Sequence, residues 1–348
     1  MEGSPDVTVR RIGLDARLTR QLSVGMKTYA TELTARLPQV APEYAYVPFS
    51  RGGNFGWDEH VRLPLAIGAA RLDLVHFLSL YVPLVVPIAS IVTIHDLIHL
   101  RFPQYFKAKV RPYYETVVRL ACARAKRVIT DDERTVDDLA RFLHVDRAKV
   151  RVIPLGVDES FLRGAGGGGF AGPRAYFLYV GNHRKHKGLT TLFEAWSALS
   201  PEREIDLYLT GPDDFGGELQ KRGTVSRRIV ALGDVSKERL VAYYAGATAL
   251  VAPALREGFG LPMLEAMAAG CAVVASEDAV PRAIAPAART FTAGNAGELG
   301  ARLEELLADE GLRDRFVKLG RRVAESLTWD RCARATADVY REVLEEAC

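Results

Sequence analysis

Two carboxylates eight positions apart, Glu257 and Glu265, bracket a Gly-Phe-Gly-Leu-Pro turn in the stretch REGFGLPMLEAMAAG, residues 256–270. Glycines let a backbone approach a ligand closely, and Pro262 suits the first turn of a helix. The free N–H groups at such a helix start favour a phosphate or a partly anionic oxygen. Glu265 falls one turn into an otherwise apolar helix, where a carboxylate is costly unless it is paired or hydrogen-bonded. Two partners suit it: a structural donor inside the protein, or a ligand diol such as the adjacent hydroxyls of ribose.

A second cluster, GNHRKHKG at 181–188, sets Arg184, Lys185 and Lys187 among two histidines just after an apolar run. Arginine suits bidentate contact with a diphosphate, and lysine acts as a point charge. A solvated basic turn explains the same residues equally well. His95 closes the apolar run SIVTI and precedes Asp96. Histidines in such positions are more often structural than catalytic, so placement alone gives it no role.

These residues need elements to hold them. Strands are expected at Arg10–Asp15, Leu74–Phe77, Ile91–His95, Arg127–Thr130 and Val150–Pro154, then at Ala175–Gly181, Asp206–Gly211, Ile229–Leu232, Ala249–Pro253 and Ala272–Ser276. Amphipathic segments such as Thr28–Leu37, Val110–Ala125, Thr190–Leu199 and Ser236–Ala245 alternate with them. That alternation predicts an α/β chain with parallel sheets covered by helices. In doubly wound sheets ligands bind beyond the carboxyl ends of the strands, where the motifs above fall. GAGGGGFAGP at 164–173 reads as a flexible connection. It matches Gly-x-Gly-x-x-Gly formally but precedes a strand instead of following one, so it is no dinucleotide fingerprint. The expected division is an N-terminal domain over 1–165, a linker over 166–173 and a second domain over 174–329. The last helix, 330–348, is expected to pack back on the first domain.

The 348 residues, 48% hydrophobic and 26% charged, describe an ordinary globular protein of two domains. A formal charge of +3, with no basic stripe carrying stacking aromatics, argues against nucleic acid. The N-terminal stretch lacks an apolar signal core, and the run from Leu80 to Ile94 is broken by Pro83 and Pro87, so a cytoplasmic protein without a membrane span is expected. Four cysteines without Cys-x-x-Cys spacing indicate neither zinc nor a disulfide framework. The segment 106–127 is basic and amphipathic, with Lys107, Lys109, Arg111, Arg119, Arg124, Lys126 and Arg127 against Glu115. It could rest weakly on the inner membrane face, but an apolar stripe turned into the core is the preferred reading.

The ordered series of motifs resembles retaining, nucleotide-sugar-dependent glycosyltransferases of family 4, mannosyltransferases in particular. RIGLDARL with Gly25-Met-Lys-Thr-Tyr29, TIHDLIHLRFPQYF, RVITDDERTVDDLARFLHV, VRVIPLGVD, YFLYVGNHRKHKGL, LYLTGP and ALVAPALREGFGLPMLEAMAAGCAVVAS carry the resemblance, the last with the family's Glu-x7-Glu motif. It implies the GT-B fold, two Rossmann-like doubly wound domains facing across a cleft. It further implies that Glu265 holds the ribose hydroxyls and Glu257 the transferred sugar. The N–H groups around Phe259, Gly260 and Leu261 would meet sugar and diphosphate, and Lys187 the diphosphate. Gly25 would let the first domain close on the phosphates, and His95 would lie beside the sugar. The family arginine is replaced here by Asn182, with Arg184 the substitute, and the usual serine before Glu133 is Asp132.

The implied reaction is transfer of a hexose from a nucleoside diphosphate sugar, GDP-mannose first and UDP- or dTDP-sugars next, to a glycan, lipid-linked or small-molecule acceptor. Configuration would be retained. The chain has no Asp-x-Asp signature and no dedicated base, so cationic stabilisation of the leaving group would stand in for a metal, and no cofactor is expected. The alternatives are a GT-B-type phosphorylase or sugar-nucleotide epimerase, a Rossmann-type NAD-dependent oxidoreductase, and a non-catalytic sugar-nucleotide-binding protein.

Overall fold

Short apolar runs such as RIGLD, LVHF and SIVT are buried on both faces, which is how strands of a parallel sheet read. The computed structural model describes residues 9–20, 22–108, 110–164, 169–199, 204–211 and 228–346. Lys109, residues 165–168 of the glycine run, Pro212, Asp213, Asp214 and Cys348 lie outside the described residues.

The chain divides into two units, Met1–Leu155 with Trp329–Cys348, and Gly156–Thr328. The division falls ahead of the glycine-rich segment, because the helix Glu159–Gly164 already packs on helices of the second unit.

In the first unit β1 (Arg11–Asp15), β2 (Ala45–Phe49), β3 (Leu74–Phe77), β4 (Ser90–Thr93), β5 (Arg127–Thr130) and β6 (Val150–Val152) pair in parallel, in the order β2-β1-β3-β4-β5-β6. The order reverses between β1 and β3, which makes that gap the unit's topological switch point. β4 ends at Thr93, so His95 lies in the loop beyond the strand and not on it. The helix Trp329–Glu345 packs along the helix Val24–Val40 and completes this unit's core with Trp329, Ala333, Ala337, Tyr340 and Val343.

The basic segment 106–127 holds three consecutive helical stretches, Val110–Tyr113, Tyr114–Val118 and Arg119–Arg124. Tyr114, Val118, Ala121 and Cys122 are buried in the first core, with Val110 and Tyr113 packed on it. The stripe is therefore a core face. Among the described residues no helix is long and apolar enough to cross a membrane.

In the second unit β7 (Ala175–Tyr179), β8 (Ile205–Thr210), β9 (Ile229–Gly233), β10 (Ala249–Ala252), β11 (Val273–Ser276) and β12 (Arg289–Phe291) are again parallel, in the order β12-β11-β10-β7-β8-β9. Here the order reverses between β7 and β10. Phe177, Leu192, Leu207, Val251, Val274, Leu299 and Leu303 form the core of this unit.

Candidate active site

The switch point of the second sheet gathers most of the residues singled out in the sequence. After β7 the chain runs through Gly181–Arg184 into a short 3-10 turn, Lys185–Lys187, and then the helix Leu189–Ala198. Gly188 joins turn to helix at φ +73°, and a Cβ there would stand 1.9 Å from the carbonyl oxygen of Pro253, beyond β10. Only glycine permits that approach. Leu255 N donates to His186 O at 2.8 Å, and His183 Nε2 to Thr210 O at 3.0 Å. The loops after β7 and β10 are thus held edge to edge.

That contact brings Lys187 to Glu257. The ammonium lies 2.6 Å from Oε1 and 2.7 Å from Oε2, with 18% and 20% of the two side chains exposed. The pair is shielded enough to hold its geometry and open enough to meet a ligand. Arg184, at the start of the turn, is exposed. Arg256, next to Glu257, is buried. A buried guanidinium in this loop has no marker in the sequence beyond its charge.

Phe259 is buried, and Gly260, at φ +70°, starts the helix Leu261–Ala268 with Pro262 in its first turn. Its cap position is a glycine, which has no side chain to offer the first N–H groups. Glu265 is half-buried one turn in, and Tyr244 Oη donates to its Oε2 at 3.1 Å. The protein therefore supplies one structural donor, which the sequence reading weighed against a diol, and Tyr244 engages only one of the two oxygens. Burial pushes the carboxyl up to about 7, although Tyr244 and the more distant Lys237 favour its ionised form.

The first unit holds the remaining residues. Gly25 lies at the start of the helix Val24–Val40, where Ser23 caps by accepting from Met26 N at 3.3 Å. His95 is buried, with Nδ1 at 2.7 Å from Asp131 Oδ2, Nε2 at 3.3 Å from Leu78 O, and Tyr29 edge-on to its ring at 4.7 Å. Burial alone would lower its pKa, but the Asp131 carboxylate outweighs that and holds it above the ordinary histidine value. Sequence reading missed Asp131, which follows β5 as His95 follows β4; the strand-end rule would have found it. Asp132 caps the helix Glu133–Leu143 by accepting from Arg134 N, so an acceptor suits that position as serine would. Among the described residues no three His, Cys, Asp or Glu side chains gather as ligands of a metal ion would.

Two family models match the chain, one described as Glycosyltransferase Family 4 over residues 24–161 and one as Glycosyl transferases group 1 over residues 174–309. The chain is 26% identical to O-antigen chain mannosyltransferase B of Escherichia coli, over 72% of this chain and 70% of that protein. It is 30% identical to MMP alpha-(1->4)-mannosyltransferase of Mycolicibacterium hassiacum, over 62% of this chain and 54% of that one. The match thus spans about half of the second relative's length. Sucrose-phosphate synthase of Thermosynechococcus elongatus superposes with a TM-score of 0.74 at 19% identity, covering 97% of this chain and 100% of that one. At that identity the agreement is one of fold.

Proposed function

The chain belongs to glycosyltransferase family 4, and from that premise we propose that it moves a hexose from a nucleoside diphosphate sugar to a glycan, lipid-linked or small-molecule acceptor. The observation that carries this reading is the Lys187–Glu257 pair at the switch point between β7 and β10. It sets a cation fit for a diphosphate against a carboxylate fit for sugar hydroxyls, where a doubly wound sheet takes its ligands. The N–H groups around Phe259, Gly260 and Leu261, at the start of the helix Leu261–Ala268, would add donors for the phosphates, and Glu265 would take the ribose diol.

Lys187 and the helix start stabilise the departing diphosphate electrostatically, with Arg184 as a second cation, so that no metal is required. The anomeric configuration is retained. GDP-mannose is the favoured donor, which the names of the two relatives support, with UDP- or dTDP-sugars next. The reaction takes place in the cytoplasm.

The test is transfer from a panel of nucleoside diphosphate sugars in excess EDTA. The wild type should release nucleoside diphosphate and form a glycoside, which separates transfer from phosphorolysis and epimerisation. Lys187→Ala and Glu257→Ala should each lower kcat/KM at least about 100-fold, as loss of one charge-stabilising donor does elsewhere, while melting within a few degrees of the wild type. Transfer by Lys187→Ala at the wild-type rate would remove the basis for this reading.

A further inference from the structure

Glycosyl transfer needs two ligands, and the second unit's switch point holds groups suited to one of them. The first unit has its own switch point, between β1 and β3, and the loops leaving β1, β2 and β3 meet there. Together with Tyr113 of the helix Val110–Tyr113, they build a cluster of rings on a base of buried charge. Phe55 lies at φ +68°, a left-handed conformation that a bulky residue rarely takes, with 47% of its surface exposed. Its ring stands edge-on to Tyr81 at 5.3 Å and to Tyr113 at 5.1 Å.

The strain is held in place from several sides. Arg17 Nη1 donates to Gly53 O at 2.8 Å, Gly53 N to Asp58 Oδ2 at 3.1 Å, Asn54 Nδ2 to Thr19 Oγ1 at 2.7 Å, and Phe55 N to Glu59 Oε2 at 2.9 Å. Tyr113 Oη donates to the other Glu59 oxygen at 3.1 Å, and Arg17 Nη2 to Tyr81 O at 3.1 Å. Glu59 is fully buried, and Arg17 is 4% exposed against Asp15 at 2.7 Å. Buried ions are a poor source of stability, and a loop that only connects two elements requires neither them nor a strained aromatic residue. Over-determined strain of this kind collects at ligand sites.

We propose that Phe55, backed by Tyr81 and Tyr113, is a preformed stacking platform for a pyranose ring of a saccharide acceptor. The assignment rests on the glycosyl-transfer reading above. A pyranose has a C–H-lined face that complements the negative face of an aromatic ring, and hydroxyls at its edge that suit a polar rim such as the partly exposed Asp58. Fixing Phe55 before binding lowers the ordering cost of a weak, flat contact.

The test uses the full chain on an array of immobilised oligosaccharides ending in mannose, glucose, galactose, N-acetylglucosamine or rhamnose, with thermal shifts by GDP, UDP and dTDP measured in parallel. The wild type should be retained on at least one saccharide terminus. Phe55→Gly accepts the positive φ and removes the ring, so it should melt no lower than the wild type yet bind that saccharide at least tenfold more weakly. Phe55→Leu should show the same loss, whereas Phe55→Tyr should bind within about threefold of the wild type. All variants should keep the wild-type nucleotide shift. Equal retention by Phe55→Gly or Phe55→Leu would overturn the proposal, as would a wild type retained on no saccharide. A wild type stabilised by none of the three nucleotides would overturn the transfer reading, and this assignment with it.

Discussion

With Tyr244 on one oxygen and apolar helix around it, the Glu265 carboxyl ionises near neutrality, because burial raises its pKa from the ordinary value of 4.5 to about 7. The folded state therefore binds more protons than the unfolded chain between those values, and its stability falls as pH rises through that window. The cost is absent below the unfolded pKa and complete above about pH 7, where it amounts to at most about 3 kcal/mol. Glu265→Gln removes it. The variant's melting temperature should gain on the wild type between pH 5 and pH 8; a difference that stays constant over that range would refute the assignment. Much of this was legible from residue types alone. An acid one turn into LPMLEAM declares a need for a partner, and Lys187 and Glu257 each follow an apolar run that ends in glycine or proline. Tyr244 was not legible, since nothing in the helix Lys237–Gly246 distinguishes it from the neighbouring Tyr243 until the fold brings Glu265 against it.

At the level of elements, the central strands and the edge strands β6 and β9 were readable, whereas the edge strands β2 and β12 were not. β2 and β12 each lie at the rim of a sheet. β2 is AYVPF, only partly buried and carrying a proline, which an edge tolerates and which lowers any expectation of a strand. β12 has three residues and shows no alternation to read. The join between Lys187 and the following helix makes the opposite point: its glycine was visible, but the reason for it lies in a different loop. Gly188→Ala adds a Cβ against Pro253 O at a positive φ. It should destabilise the second unit by about 3 kcal/mol or more, as forced overpacking and backbone strain together do. It should also weaken nucleotide binding through Lys187. A melting temperature unchanged from the wild type would show that the two loops separate freely.

Across the whole molecule, strand–helix alternation announced two doubly wound sheets, whereas the place of division depended on packing that no local pattern reveals. The glycine run draws the eye, yet the second unit begins before it, at Gly156, and ends at Thr328. There Val157 and Thr328 form a parallel bridge, with Val157 N donating to Leu327 O at 3.0 Å. The first unit is then finished by the helix Trp329–Glu345, whose Tyr340 Oη bonds His76 Nδ1 at 2.7 Å and whose Glu342 pairs with Arg127 at 2.7 Å. His76, its pKa lowered by burial to about 3, stays neutral in that contact. A chain stopped at Thr328 should therefore keep a protease-resistant fragment covering the second unit and lose the first; a first unit resistant without its last helix would refute this. Because one unit is discontinuous and the other is not, the order of maturation on the ribosome runs against the order of the code. The later-translated unit can fold as soon as it emerges, while the earlier one waits, with an apolar face uncovered, until the last helix is made. During that interval the first unit is the part of the nascent chain most in need of a chaperone.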